Sequence, residues 1–345
     1  MALFLSTLET IYLLSHPSVS VITPVFNGEL FLNEAIISIR NQSFREWEMI
    51  IVDDGSTDSS YKIAKQWQQI DSRLMVIHQE NLGAAIARNE GIRLAKGKYL
   101  AFLDADDSSF ANRLRLQFDF LEKRSDFNIC GGAIEVFEPN NTYRVIRYQS
   151  DFRMIRCLPI FNSPFATSTV LIRKSILDNG FTFEKEFEPA EDYNLWSKLV
   201  EKFKGGNLNN VLTRYRIHHH QITNRKVETL CLNSDRVRAR NLNKINISAS
   251  FEELALHHII SLQRNEELRP RINLVDQWLR KLNQSNQTNS IYPEFAFRLL
   301  LGQRWFSLCA SIKGKKTLTW PVFWQSNMSK SGIEWYLLYN LRIVR

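Results

Sequence analysis

The chain has 345 residues, 44% of them hydrophobic and 23% charged, with 44 Lys and Arg against 36 Asp and Glu and a formal net charge of +8. This composition is typical of a globular protein and argues against disorder, a collagen-like chain and a polytopic membrane protein. The four cysteines are far apart and show no CxxC spacing. The sequence therefore favours neither a zinc ribbon nor a disulfide framework, and a reducing compartment is expected.

The excess of cations lies in the last third of the chain. Residues 1–230 carry nearly equal numbers of the two signs, whereas residues 231–345 carry many more Lys and Arg than Asp and Glu. A basic region suits an anionic partner such as a lipid surface or a polyanionic acceptor, although a solvated basic face is the simpler explanation. No nucleic-acid-binding motif is present, so we expect no nucleic-acid partner.

We expect neither a targeting segment nor a transmembrane helix. The apolar start of the chain is interrupted by Glu9 and lacks a basic n-region. The apolar stretch at 295–310 contains Arg298 and Arg304 and is shorter than the roughly 20 residues that span a bilayer. These features favour a cytoplasmic location, with peripheral attachment at the inner face of the membrane as an addition to it.

The first half of the sequence alternates strand and helix patterns in chain order. Short β-branched or aliphatic runs predict strands, and apolar residues at helical spacing predict helices between them. The predicted strands are 19–26, 49–54, 74–78 and 99–103. Helices are predicted at 30–40, 84–95 and 112–123, and a further helix, capped by Thr57 or Asp58, runs toward Trp67. Such alternation indicates an α/β fold with a mostly parallel sheet flanked by helices.

Three of these strands end in groups of residues that could face a ligand. The first strand leads into Thr23-Pro24-Val25-Phe26-Asn27, the second ends in Asp53-Asp54, and the fourth runs into Asp104-Ala105-Asp106. Parallel sheets bind ligands beyond the carboxyl ends of their strands. We therefore expect these three groups to gather along one edge of the sheet.

After residue 128 the pattern is less regular. Strands are predicted at 129–137, 168–173 and 211–217, and a helix is predicted at 191–203. Beyond about residue 229 the sequence pattern is mainly helical. We predict an N-terminal extension at 1–17, an α/β domain at 18–228 and a basic, mainly helical C-terminal region at 229–345.

Several acidic groups have a functional and a structural interpretation. Asp104 and Asp106 suit one hard cation such as Mg²⁺ or Mn²⁺, or they cap the next helix. Asp53 and Asp54 either accept hydrogen bonds from a base or a ribose, or they form the turn at Gly55. Glu191-Asp192 supplies either a general base or acids that complement a helix dipole.

Three other side chains are candidates for the same site. Phe26 either stacks on a base ring or belongs to the core. Arg88 lies near the start of a helix whose N-terminus favours anions, with a structural salt bridge as the alternative. His218 opens a run of three histidines and is either a metal ligand or a structural residue.

Taken in order, the motifs resemble those of family 2 glycosyltransferases of the GT-A fold. The resemblance rests on VSVITPVFN at 19–27, VDDGSTD at 52–58, NLG and ARN at 81–89, FLDADD at 102–107, ED at 191–192 and YRIH at 215–218. It covers roughly 18–224. The family implies transfer of a sugar from a nucleoside diphosphate sugar, with inversion at the anomeric carbon.

The resemblance also implies a role for each matching residue. On the donor side it implies a nucleoside pocket lined by Thr23, Pro24 and Phe26, a base held by Asp54 with Asp53, Arg88 near the nucleotide, and Asp104 at the ribose. Asp106 would bind a divalent metal, Mn²⁺ or Mg²⁺, that bridges the phosphates, and His218 would assist the metal or the leaving group. Asp192 would be the base on the acceptor hydroxyl.

Two other functions are weighed against a sugar transferase. A catalytically silent nucleotide-sugar-binding protein of the same fold is disfavoured by the intact acidic set. A nucleotidyltransferase would carry a glycine-rich phosphate loop after the first strand, where this chain reads PVFN. The expected acceptor is a glycan or a lipid-linked sugar in polysaccharide or glycolipid synthesis, and the tryptophan-rich, basic C-terminal region suits a peripheral membrane contact.

Overall fold

The computed structural model describes residues 17–137, 143–219, 221–310 and 323–340. The chain divides into two compact units, one made of residues up to 150 together with 164–230, the other of 151–163 together with residues from 231 onward. The predicted N-terminal extension lies outside the described residues apart from Pro17, as does His220 of the histidine run.

Nine strands form one sheet in the described part of the first unit. They are β1 (Val19–Val25), β2 (Trp47–Asp54), β3 (Leu74–Gln79), β4 (Tyr99–Phe102), β5 (Ser108–Ser109), β6 (Ile129–Phe137), β7 (Tyr143–Ile146), β8 (Leu171–Arg173) and β9 (Gly205–Arg216). The order is β3-β2-β1-β4-β8-β6-β9-β5, with β7 paired to β6.

The α-helices are α1 (Leu32–Arg40), α2 (Ser60–Ile70), α3 (Ala84–Leu94), α4 (Arg113–Lys123), α5 (Phe152–Cys157), α6 (Glu191–Lys202), α7 (Ile222–Arg225), α8 (Val227–Lys244), α9 (Phe251–Leu262), α10 (Asn265–Leu268), α11 (Ile272–Asn289), α12 (Glu294–Ala310) and α13 (Met328–Asn340). Short 3₁₀ turns occur at Leu158–Ile160, Thr167–Thr169, Lys174–Asn179, Lys185–Phe187 and Arg269–Arg271.

The strand β1 lies between two parallel neighbours. It pairs in parallel with β2 on one side and with β4 on the other, so the carboxyl ends of these three strands lie at one edge of the sheet. All eight residues of β2 are buried, as expected for a strand covered on both faces. The core of this unit joins these strands to the apolar faces of α1 and α4. The predicted edge is therefore confirmed.

The second unit has a separate helical core. Its buried cluster combines apolar residues of α5 and the following turn with residues of α8, α9, α11 and α12. The helix α9 begins with a capping box, in which Ser250 and Glu253 each satisfy the other's backbone N–H. Because α5 contributes to this core, residues 151–163 belong to the helical unit although they lie far from it in sequence.

The fold class agrees with the prediction of a mixed α/β fold followed by a helical region. Two strand predictions need correction. The predicted strand at 168–173 is a 3₁₀ turn at Thr167–Thr169 followed by the three-residue strand β8. The strand predicted at 211–217 begins earlier, at Gly205, because Gly205 and Gly206 pair in parallel with Ile129 and Cys130 of β6.

Candidate active site

The loops after β1 and β2 are tied to each other at the edge of the sheet. The side-chain Oδ1 of Asn27 accepts a hydrogen bond from the backbone N–H of Thr57 at 2.8 Å, and the backbone N–H of Asn27 donates to Ser56 Oγ at 3.0 Å. These contacts place Phe26 beside the turn that follows Asp53 and Asp54. The side chain of Phe26 is 49% exposed and thus open to a ligand.

The rest of the first motif is more deeply placed. Thr23 is fully buried in β1, and within the described part of the chain its hydroxyl has no hydrogen-bond partner. Pro24 is half-buried. Of these three predicted nucleoside-pocket residues, only Phe26 presents a large exposed surface.

The carboxylates at the end of β2 bind groups of the protein itself. Asp53 is fully buried, with Oδ2 at 2.6 Å from Nδ1 of His78. Asp54 accepts hydrogen bonds from the Gln79 side chain at 2.7 Å and from the backbone N–H groups of Leu82 and Gly83 at 2.9 and 2.8 Å. Asp54 therefore fixes the loop that leads into α3.

Arg88 connects the end of β4 with the start of α6. Its Nη2 donates to Asp104 Oδ1 at 2.8 Å and its Nη1 donates to Glu191 Oε1 at 2.5 Å. Burial opposes the charge of Arg88, but Asp104 and Glu191 outweigh it and raise the pKa of Arg88 above its usual range. A permanently charged guanidinium thus holds two acids from distant segments in one place.

Asp192, the residue after Glu191, is partly buried. Its Oδ2 accepts a hydrogen bond from Thr167 Oγ1 at 2.7 Å, and its Oδ1 accepts one from the backbone N–H of Tyr193 at 2.5 Å. Burial, with the negative charge of Glu191, raises the pKa of Asp192 to about 6 against the opposing effects of Thr167 and Arg88. A carboxylate with a pKa near neutrality is suited to accept a proton from a hydroxyl.

Asp106 lies against His218. The Nε2 of His218 is 2.9 Å from Asp106 Oδ2, and the two side chains are 17% and 30% exposed. The Nε of Arg216 donates to the backbone oxygen of Asp106 at 3.2 Å, which attaches this loop to the end of β9. Burial and the charges of Asp106 and Asp104 raise the pKa of the neighbouring Asp107 well above its usual value. Three carboxyl groups thus lie close together here, and the neutral form of Asp107 is favoured.

This donor set fits a divalent cation in part. Among the described residues, no group of three His, Cys, Asp or Glu side chains is arranged to hold a metal ion. Asp106 and His218 offer one oxygen and one nitrogen ligand in contact. Mg²⁺ and Mn²⁺ commonly complete their shells with water and substrate phosphates. Two protein ligands therefore suit a cation that binds together with a phosphorylated substrate.

Two residues of this site, Glu188 and Thr167, are not among those that the sequence motifs predict. Glu188 accepts a hydrogen bond from the backbone N–H of Ala85 at 2.7 Å and so caps α3, which has no side-chain cap of its own. Thr167 holds Asp192, as described above. The one signal for Glu188 was that Gly83 opens a helix without a capping side chain, and no signal pointed to Thr167.

Comparison with known proteins places the chain among glycosyltransferases. The sequence model of "Glycosyl transferase family 2" matches residues 20–181. Over 213 residues the chain is 33% identical to the "Putative teichuronic acid biosynthesis glycosyltransferase TuaG" of Bacillus subtilis (strain 168), covering 61% of this chain and 83% of that protein. Over 215 residues it is 33% identical to the "Putative glycosyltransferase EpsE" of the same organism, covering 59% and 74%.

Solved structures show the same fold. The structure of S. aureus TarS 1-349 in complex with UDP-GlcNAc matches with a TM-score of 0.54 at 19% identity, over 84% of this chain and 88% of that chain. A mannosyltransferase, PcManGT from Pyrobaculum calidifontis, in complex with GDP-Man and Mn2+, matches with a TM-score of 0.50 at 15% identity, over 95% and 82%.

The α/β sheet with acids collected at its carboxyl edge is that of a GT-A glycosyltransferase. The chain belongs to glycosyltransferase family 2. Among the residues that the structure describes, none of the helices combines the length and the hydropathy needed to cross a membrane.

Proposed function

We propose that this glycosyltransferase moves a sugar from a nucleoside diphosphate sugar to an acceptor hydroxyl, with inversion at the anomeric carbon and with the help of a divalent metal. The observation that carries the proposal is the ion-pair network of Arg88, which joins Asp104 to Glu191 and so brings Asp192 to the edge of the sheet. Both solved structures named above are complexes with nucleoside diphosphate sugars, UDP-GlcNAc and GDP-Man, which supports this class of donor.

On the donor side, we propose that the nucleoside lies between the loops after β1 and β2. Phe26 provides an exposed ring for stacking on the base. Asp54, with Asp53, holds the base side of the pocket, both by its remaining acceptor capacity and by fixing the loop at Leu82 and Gly83. Asp104, held by Arg88, faces the ribose.

On the phosphate side, we propose that Asp106 and His218 hold a divalent cation. When bound, this cation would neutralise the negative charge that grows on the departing nucleoside diphosphate. Arg216 keeps the Asp106 loop in position through the backbone oxygen of Asp106, and its Nη2 also contacts Glu34 of α1. Asp106 and His218 thus supply one oxygen and one nitrogen ligand close together, and Arg216 keeps the Asp106 loop in place.

On the acceptor side, we propose that Asp192 removes the proton of the attacking hydroxyl. Inversion requires attack on the face of the sugar opposite the leaving group, so the base must lie across the sugar from the phosphate-binding residues, where a residue from another segment of the chain can be placed. Asp192, at the start of α6, meets this requirement. The residue as a whole is partly rather than fully buried.

A donor screen tests this function. The purified chain is incubated with nucleoside diphosphate sugars and Mg²⁺ or Mn²⁺, and the released nucleoside diphosphate is measured with and without saccharide acceptors. We expect release from one donor class, its loss on chelation of the metal, and an inverted anomeric configuration by proton NMR of the product. Retention of configuration would contradict inversion, and activity that survives chelation would contradict metal assistance. Asp119→Asn, on the surface of α4, is a control that should behave as wild type.

For the acceptor, we propose a glycan or a lipid-linked sugar in polysaccharide synthesis, on the inner face of the membrane. The name of the relative TuaG, which refers to teichuronic acid, supports this class.

Residues 229–345 carry the excess of cations and are proposed to give a peripheral membrane contact. Of the tryptophans there, Trp324 is 63% exposed, Trp305 is fully buried, and Trp320 lies outside the described residues. Sedimentation with anionic liposomes tests the contact, and a chain that stays in the supernatant would rule it out.

A further inference from the structure

The hydroxyl of Thr167 lies between an indole and the carboxylate of Asp192. Trp196 Nε1 donates a hydrogen bond to Thr167 Oγ1 at 3.1 Å, and Thr167 Oγ1 donates to Asp192 Oδ2 at 2.7 Å. Asp192 and Trp196 are four residues apart on α6 and so share a face of the helix. Thr167, at the start of the 3₁₀ turn Thr167–Thr169, bridges them from another segment.

The direction of these two hydrogen bonds is fixed by chemistry. An indole N–H is a donor only, so the oxygen of Thr167 must accept from Trp196. A hydroxyl has a single proton, and an ionised carboxylate only accepts. The proton of Thr167 is therefore directed at Asp192. A hydroxyl beside a carboxylate could otherwise rotate away, and the indole removes part of that freedom.

The indole itself is held rigidly. Trp196 is fully buried, and its ring meets three phenylalanine rings edge-on, at centroid distances of 5.6 Å for Phe102, 6.4 Å for Phe165 and 5.7 Å for Phe183. Thr167 is 7% exposed. Close packing leaves such side chains one rotamer, so the hydrogen-bond chain has one geometry.

The other groups that act on Asp192 differ from Thr167 in kind. Glu191, its neighbour on α6, disfavours ionisation, and Arg88 on α3 favours it. Tyr148, after β7, carries a phenol whose pKa is raised to about 12 by burial and by the charges of Asp192 and Asp107, so it stays neutral. The Tyr193 backbone N–H contacts the other oxygen of Asp192. Thr167 is thus the side chain that donates directly to the carboxylate in the described hydrogen bonds.

We propose that Thr167 is a positioning residue for the transfer reaction: it orients Oδ2 of Asp192 and keeps the carboxylate ionised, and therefore able to accept the acceptor's proton, near neutral pH. The proposal rests on the proposed role of Asp192 as the base. Nothing in the sequence motifs of the family resemblance includes Thr167, which lies between the motifs at 102–107 and 191–192.

The test uses the full-length chain with Thr167→Val, which keeps the shape and removes the donor, and Thr167→Ser, which keeps the donor. The dependence of kcat/KM on pH is measured with the donor found in the screen. Because Asp192 acts as a carboxylate, activity falls as the pH falls through its pKa, near 6 in the wild type. Thr167→Val loses a hydrogen bond to the charged carboxylate, so the acidic limb of its kcat/KM profile, where activity falls with pH, should move to a pH about 1–2 units higher. Thr167→Ser, which keeps the hydroxyl donor, should have the wild-type profile.

A second readout does not depend on catalysis. Carbon-13 labelling of aspartate carboxyl groups lets NMR follow the titration of Asp192, whose signal is identified by its absence in Asp192→Asn. We expect the same upward shift in Thr167→Val and the wild-type value in Thr167→Ser. Thr213→Val is the matched control, because Thr213 is also buried but donates to the backbone oxygen of Ser168 at 2.7 Å. Thr167→Ala serves if the valine variant does not fold.

The two readouts separate the inference from the function on which it rests. If the carboxyl titration of Asp192 is unchanged in Thr167→Val, or shifts equally in Thr213→Val, the positioning role is overturned. If the titration shifts but the kcat/KM limb does not, Thr167 acts on Asp192 as inferred, and the assignment of Asp192 as the base is what fails. If both shift together and serine restores both, the positioning role is supported.

Discussion

Arg88 shows why single residues matter so much at this site. Arg88 is 7% exposed, and its guanidinium pairs with two carboxylates that come from different parts of the sequence. Buried ion pairs give little net stability, because both charges lose their hydration, yet removal of one partner is costly since it leaves a buried charge alone. The value of Arg88 is therefore in the placement of Asp104 and Glu191 rather than in the strength of the ion pairs.

Arg88→Met is expected to lower the free energy of unfolding by about 3–5 kcal/mol, because Glu191 is left buried without its cation. The matched control is Arg93→Met on the same helix, whose ion pair with Glu90 is exposed to solvent. Such surface pairs contribute little, so this variant should unfold like the wild type. Urea denaturation followed by circular dichroism measures both. An equal effect of the two variants would contradict the role given to Arg88.

Asp192→Asn should make the folded chain more stable at alkaline pH. The pKa of Asp192 is raised in the folded state to about 6, so its ionisation opposes folding as the pH rises from about 4 to 6. Above pH 6 the asparagine variant lacks this penalty, which amounts to at most about 3 kcal/mol. Below pH 4 the difference disappears, because the carboxyl is protonated in both states. Thermal unfolding at pH 4 and pH 8 checks the sign, and a variant less stable at pH 8 than at pH 4, relative to wild type, would refute it.

At the scale of elements, the helix α3 depends on a cap from another segment. Gly83 precedes the helix with a φ of +102°, and a Cβ atom there would come within 2.6 Å of both Glu188 carboxylate oxygens. The same carboxylate accepts from the N–H of Ala85, and an acid at a helix N-terminus is also favoured by the helix dipole. Gly83 therefore supplies a backbone conformation that other residues rarely adopt, and a side chain there would displace the carboxylate of Glu188 from its capping position.

Gly83→Ala and Gly180→Ala separate these two requirements. Gly180 also has a positive φ, of +82°, but a Cβ there would meet no atom within 4 Å. The free energy of unfolding of the Gly180 variant should fall only by the cost of the backbone conformation, about 1–2 kcal/mol. The free energy of unfolding of the Gly83 variant should fall further, because the new side chain displaces the Glu188 cap. This variant should also bind the donor more weakly. Chemical denaturation and donor titration measure the two effects, and equal losses in both variants would contradict the crowding argument.

The elements themselves were largely predictable from the sequence, for a local reason. Helix α4 was predicted at 112–123 and lies at Arg113–Lys123, and β6 was predicted with the bounds that it has. These elements carry their own periodicity. The 3₁₀ turn at Thr167–Thr169 was missed, because Ser and β-branched Thr and Val in a row read as a strand. Glu188 and Thr167 act on groups far away in sequence, which no local pattern records.

At the scale of the whole molecule, residues 151–163 leave the α/β unit and return to it. Their apolar side chains, including Met154, Ile160 and Phe161, belong to the helical core of the second unit. The residues that flank this segment lie close together. Asn207 Nδ2 donates hydrogen bonds to the backbone oxygens of both Gln149 and Pro164, at 2.9 and 3.1 Å. From the sequence this segment is predicted within the α/β domain, because no residue pattern in it marks a boundary. The domain limits at 18–228 and 229–345 remain a proposal.

A shortened chain tests this organisation. Removal of the residues after Leu230 alone should give aggregated protein, because the apolar side chains of 151–163 lose their core. Replacement of 151–163 by a few Gly and Ser residues in the same truncated chain should restore a monomer that binds the nucleoside diphosphate. Size-exclusion chromatography and a binding titration distinguish the two. If both versions aggregate, the α/β unit does not fold by itself.

We propose that acids from distant segments form one cleft with a donor side and an acceptor side. The most direct measurement is the binding and the turnover of the donor, with Mn²⁺, by Asp106→Ala and Asp192→Asn. We expect Asp106→Ala to weaken both metal-dependent binding and turnover, whereas Asp192→Asn binds the donor like the wild type and loses about 10²–10⁴ in turnover. Near-normal turnover of Asp192→Asn, or unchanged Mn²⁺-dependent binding by Asp106→Ala, would contradict the account.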